Sequence, residues 1–221
     1  MRLLELIYDV RESFRLMSDD SDITNSYIAY LINTARATIL QQRYSDPRNI
    51  VPSVVYQKVT LPIGDNAKST LQLPPVIKTT GNAHASLKVY GIGMADTNLE
   101  VPINVVNLDR LPYVGHNQFT RDQIYCALDE DGTLIFNSQN NLYKLINSVV
   151  ARGISEDPEA WYAISNPNAD FYNAKYPLAE SDLLDVRKIV DQKLANILNI
   201  TKDNLNDSTE ERLDKNPQGN Q

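Results

Sequence analysis

Any chemistry in this chain would have to start from very few side chains. Among 221 residues there is one cysteine, Cys126, and there are two histidines, His84 and His116. A disulfide needs a second cysteine and a thiolate zinc site needs several, so the chain can build neither by itself. Cys126 stands in the alternating run Ile124-Tyr-Cys-Ala-Leu128 with no histidine nearby, the setting of a buried structural thiol. Both histidines lie in polar, turn-like stretches, and no Gly-x-Ser-x-Gly elbow supplies a nucleophile for either to activate. Gly91-Ile-Gly93 has only two of the glycines of a dinucleotide-binding turn and opens no helix, so it reads as a strand end or bulge. Asp129-Glu-Asp-Gly132 lacks the alternating ligands and distal Glu of a calcium loop, and joins two strand-like runs as a turn. The chain is expected to be no enzyme and to hold no metal or cofactor.

Composition narrows the remaining classes. The formal charge is −7 and 42% of residues are apolar, which suits a globular protein and not a basic nucleic-acid binder. No apolar run reaches the ~20 residues of a membrane span. Acids interrupt the apolar N-terminus, so no signal peptide is expected there. Tyrosine supplies twelve of the aromatics, against four Phe and one Trp. Its apolar ring and polar tip suit surfaces that become buried against another protein.

Hydrophobic period divides the chain. Leu3, Ile7, Val10, Phe14 and Met17 recur at steps of three and four, a helical stripe. The acidic turn 18–22 interrupts it, and Asp22 or Thr24 is placed to cap a second helix running to about Tyr44. That helix carries Tyr27, Leu31, Ala35, Thr38 and Gln42 on one side and Ile28, Ile32 and Ile39 on the next, so it should be sandwiched between partners. From Val51 the period falls to two. Strands are expected at Val55–Ile63, Leu71–Ile77, Ser86–Gly93, Val101–Leu108, Ile124–Leu128, Thr133–Phe136 and Leu142–Ile154. Asp157-Pro158 then signals a helix start, a polar aromatic loop follows to Pro177, and Ser181 or Asp182 opens a last helix. The expected fold is α+β: a helical hairpin (1–50) and a C-terminal helical part (157–200) form one bundle. A mainly antiparallel sheet or small barrel (51–156) is inserted between them, and a polar extended tail (201–221) follows.

Some stretches carry a likeness. Leu3-Leu-Glu-Leu-Ile-Tyr-Asp-Val-Arg-Glu, Ser18-Asp-Asp-Ser-Asp-Ile and Tyr27-Ile-Ala-Tyr-Leu-Ile-Asn-Thr-Ala-Arg-Ala resemble the N-terminal hairpin of tailed-phage head-to-tail connector proteins. The nearest likeness is to the virion ring proteins of crAss-like phages. Ser148-Val-Val-Ala-Arg-Gly-Ile-Ser-Glu-Asp-Pro-Glu-Ala-Trp161 and Phe171-Tyr-Asn-Ala-Lys-Tyr-Pro-Leu are similar to that group as well. The resemblance implies a structural virion protein of the tail or neck, made in the host cytoplasm. It implies identical subunits in a ring of about twelve, contacts with the portal and adjacent tail or ring proteins, and a lumen that passes the genome without reading its sequence. Subunit or partner contacts are expected at Tyr27, Ile28, Ile32, Trp161, Phe171, Tyr172 and Tyr176. A β-rich ligand- or glycan-binding module is the alternative function.

Overall fold

A computed structural model describes residues 1–15, 23–46, 49–77, 87–93, 100–139 and 141–206. The expected roles of Phe14 and Met17 in the first stripe, the turn 18–22, His84 and the tail beyond 206 lie outside the described residues or side chains.

Two helices open the chain, α1 (Leu3–Arg15) and α2 (Asn25–Arg43). Leu3, Leu6, Ile7 and Val10 of α1 are buried, as the stripe requires. Thr24 caps α2, its hydroxyl accepting the Tyr27 N–H at 3.3 Å. The last helix, α4 (Glu180–Asn206), contributes Val186, Val190 and Leu194 to the same core. Phe171, Tyr176 and Leu178, from the segment before α4, complete that core. The bundle expected from the two ends of the chain is therefore built. α4 continues through 201–206, where an extended tail was expected, because no Gly or Pro stops the helix after Ile200.

Between the bundle's two parts run six strands: β1 (Gln57–Pro62), β2 (Leu87–Gly93), β3 (Glu100–Val105), β4 (Tyr125–Leu128), β5 (Leu134–Asn137) and β6 (Ile146–Gly153). Their order is β1-β6-β2-β3-β4-β5, antiparallel throughout except for the parallel pair β3–β4. The segment Ala67–Thr70 fills the gap between the two outer strands. Ser69 N–H donates to Leu134 O and Phe136 N–H to Ala67 O, each at 2.8 Å, while Thr70 N–H donates to Pro62 O at 3.0 Å. The sheet curls until its edges meet through this segment. Val59, Leu61, Val89, Ile103, Cys126, Phe136, Val149 and Ala151 fill its interior. Helix α3 (Pro158–Ser165) packs Trp161 into the same interior, against Gly153, where a Cβ would lie 2.7 Å from the indole.

Three expected strands are shorter or missing. Leu71–Ile77 forms only an isolated bridge, Val76 to Ser155, because Pro74 and Pro75 have no N–H to give a ladder. Leu142–Leu145 is a 3₁₀ turn after a left-handed Asn141, so β6 starts at Ile146. The run 101–108 leaves the sheet after Val105, and Leu108–Tyr113 is a further 3₁₀ turn.

Arg36 of α2 links the bundle to the sheet's base. Its side chain is fully buried, Nε donating to Pro177 O at 2.9 Å and one terminal nitrogen to Ser155 O at 2.7 Å. The guanidinium lies 5.9 Å from the ring centre of Tyr176. Burial pushes its pKa below the ordinary arginine value, opposed by Tyr176 and Asp157.

The β4–β5 turn shows why Asp129–Gly132 needs its glycine. Gly132 has φ +79°, and any Cβ there would collide with the Leu73 carbonyl. Gly132→Ala should therefore cost about 1–3 kcal/mol, measured as a lowered urea midpoint. An unchanged midpoint would contradict this reading of the turn.

Candidate assembly surface

Among the described residues, Cys126 and His116 lie in separate settings. Cys126 is fully buried, and burial pushes its thiol pKa far up, away from the reactive thiolate. His116 is exposed, with Nδ1 at 2.7 Å from Gln139 Nε2 and Nε2 at 3.3 Å from Pro112 O. Neither contact offers it a nucleophile or an orienting carboxylate. Among the described residues no group of three or more His, Cys, Asp or Glu is placed to hold a metal. Nor is any described helix long and apolar enough to cross a membrane. Cys126→Ala and His116→Ala are accordingly expected to leave particle assembly and infectivity near wild type. A complete loss from either change in a folded protein would mean that one of them does chemistry.

The expected contact residues separate into two groups. Ile28, Ile32, Trp161, Phe171 and Tyr176 are all buried inside the subunit. The face of α2 carrying Ile28 and Ile32, expected to point outward, is its inner face and packs with α1 and α4. Phe171 lies between Tyr162 and Tyr176, with ring centres 5.5 and 6.3 Å away. The Tyr176 hydroxyl donates to Asn33 Oδ1 at 2.7 Å, and burial pushes its pKa well above the tyrosine range. Tyr172 is half-buried beside this cluster, its N–H donating to Asp170 Oδ1 at 3.0 Å. Tyr27 alone is substantially exposed.

What surrounds Tyr27 defines the surface. It stacks with Tyr30 on α2, ring centres 6.4 Å apart, and Tyr30 is 63% exposed. Farther along, Thr38, Gln41 and Gln42 are exposed, while Asn33, Thr34 and Ala37 are half-buried. Only two charged residues occur in α2. Arg36 is internal, and Arg43 is held by Asp182 and Asp185 of α4. The outward face of this 19-residue helix is therefore uncharged from end to end. The other bundle helices expose acids and bases in the ordinary way, among them Glu5 and Glu12 on α1 and Lys188 on α4. Loss of charge with retention of tyrosine is the composition of an interface core.

A second pair of exposed aromatics was not anticipated. Tyr113 and Phe119, 80% and 86% exposed, lie on the connection from β3 to β4. No periodicity marks a loop residue as exposed, so the sequence held no signal for them. For Tyr30 a signal did exist, namely the absence of charge along the outer positions of α2.

Comparison with known proteins agrees with a structural part. The family described as phage tail ring protein 2 has a model that matches residues 5–215. Ring protein 2 of Bacteroides phage crAss001 is 31% identical over 165 residues, which cover 69% of this chain and 70% of that protein. With that family's model matching residues 5–215, nearly its whole length, the chain belongs to the phage tail ring protein 2 family of crAss-like phages.

Proposed function

We propose that identical copies of this subunit close into a ring of about twelve within the head-to-tail connector, coaxial with the portal. As a structural ring protein of the virion it would meet the portal or a preceding ring on one side and the next tail component on the other. The genome would pass through the lumen. A chain of net charge −7 suits that task, because a wall that attracted phosphate would retain the DNA. The observation that carries the reading is the outer face of α2 with Tyr27 and Tyr30, offered with no charge to desolvate when it is covered.

The subunit also has a sufficient core of its own, so its contacts need not be obligate. Modest contacts become strong when a template holds many copies side by side. Purified subunit should therefore sediment as a monomer, and should bind particles that carry the portal but lack this protein. If it bound no portal or ring component in such an assay, the connector reading would fail.

A further inference from the structure

The connection from β3 to β4 carries two exposed rings that the ring reading does not by itself explain. Tyr113 and Phe119 stand out from a loop that is tied down on its inner side. Leu111 is buried with Tyr125 and Ala127, and its carbonyl accepts from Asn137 Nδ2 at 2.8 Å. In its Nε2–H tautomer, His116 accepts from Gln139 Nε2 at 2.7 Å and donates to Pro112 O at 3.3 Å. The Tyr125 hydroxyl donates to the carbonyl of Thr120, next to Phe119, at 3.4 Å. The loop is thus held in place before any partner arrives, which lowers the ordering cost of docking. No Asp, Glu, Lys or Arg occurs from Leu111 to Thr120, so covering the two rings desolvates no formal charge.

The chain also carries a cleft of matching character. The start of α1, the stretch 52–54 before β1 and the segment entering α4 enclose about 290 Å³. Leu6, Val54, Leu178 and Leu183 are among its walls, which are mainly apolar, and Val54 is exposed. A cavity of about 150 Å³ lined by apolar side chains accepts one benzene ring, so this cleft has room for two rings. Lys175 and Glu180 also line it, a donor and an acceptor for a tyrosine hydroxyl. No lining residue comes from the β3–β4 connection. The exposure of Tyr113 and Phe119 means that the cleft of their own subunit does not receive them.

We propose that Tyr113 and Phe119 of one copy fill this cleft on the adjacent copy, a head-to-tail contact repeated round the ring. The inference rests on the ring reading above. A contact between two different patches of the same chain is the kind that closes a ring, because each copy offers one patch to each neighbour. Two such rings bury about 150–250 Å² each, a large part of the roughly 800 Å² that each partner covers in a stable interface. Aromatic anchors seated in pockets carry most of the energy of such contacts. A different virion protein is the weaker occupant. A ring of identical copies supplies one loop for every cleft, whereas a foreign partner in the cleft would leave the exposed rings uncovered.

Photo-cross-linking in complete particles tests the contact. Particles are assembled with a minority of copies carrying p-benzoylphenylalanine in place of Phe119. Irradiation should join subunits covalently in pairs, with adducts on residues 1–6, 52–54 or 175–183 of the second copy. Separately, Tyr113→Ser with Phe119→Ser should lower incorporation at least about tenfold. Both side chains are exposed, and circular dichroism of the free variant checks that it is folded. Adducts elsewhere on a second copy, within one chain, or on the portal or another tail protein would overturn the proposal, and so would none at all. Wild-type incorporation of the folded serine variant would overturn it as well. Wild-type particles with no axial ring would instead sink the ring reading on which the proposal stands.

Discussion

Ile28→Asp is expected to leave almost no folded subunit, whereas Tyr30→Arg, two residues along the same helix, yields a folded subunit that fails to assemble. Ile28 is 1% exposed, in one apolar cluster with Leu3, Leu6 and Ile32. An uncompensated buried charge costs about 3–5 kcal/mol. The lost apolar burial adds roughly 1.5–3 kcal/mol. Together these consume most of the ~5–15 kcal/mol that holds a domain of this kind together. Tyr30 faces outward, so arginine there changes stability by no more than about 0.5 kcal/mol. It nevertheless places a charge in the middle of the uncharged face, and incorporation into particles should fall severalfold. Thermal melts and quantitative incorporation of both variants check the pair. If Ile28→Asp melted like wild type, the assignment of inner and outer faces would be wrong; if Tyr30→Arg assembled normally, this face would not be a contact.

Arg36→Ala should be the most damaging change outside the apolar core. Truncation leaves the carbonyls of Pro177 and Ser155 without their donor, at about 1–3 kcal/mol each. It also opens a void beside Tyr176. Because one arginine joins α2 to the segment after β6 and to the segment before α4, loss of stability should be accompanied by loosening between bundle and sheet. Urea unfolding that shifts by several kcal/mol, with faster amide exchange at residues 154–157 and 176–179, is the expected result. Arg36→Met should recover part of the packing but not the hydrogen bonds. A shift below about 0.5 kcal/mol for Arg36→Ala would show that the linkage is dispensable.

Periodicity was enough to find the bundle and most of the strands. Leu3, Ile7 and Val10 on one stripe, Thr24 as a cap and the 129–132 turn all follow from rules that act within a few residues. It failed where a distant partner decides. Val76 has alternating neighbours but two prolines before it, and its bridge is to Ser155. The parallel pairing of β3 with β4 depends on a connection whose path no local pattern specifies. The two faces of α2 were both apolar enough to be buried, so period alone could not say which was inward. Packing buried Leu31 and Ala35 of one face together with Ile28 and Ile32 of the other, and left Tyr27 and Tyr30 outside. Trp161, Phe171 and Tyr176 were expected at a surface because aromatics are rich at interfaces, and the same rings are equally at home in a core.

Imaging native particles at the vertex that carries the tail would test the proposed place of this ring protein in the connector. Averaging about the tail axis should show a closed ring, of about twelve copies, whose repeating density fits the curled sheet and three-helix bundle described above. The outer face of α2 should be covered in that density. An average in which this fold is absent from the axis, or is present only as isolated copies on the particle surface, would contradict the account.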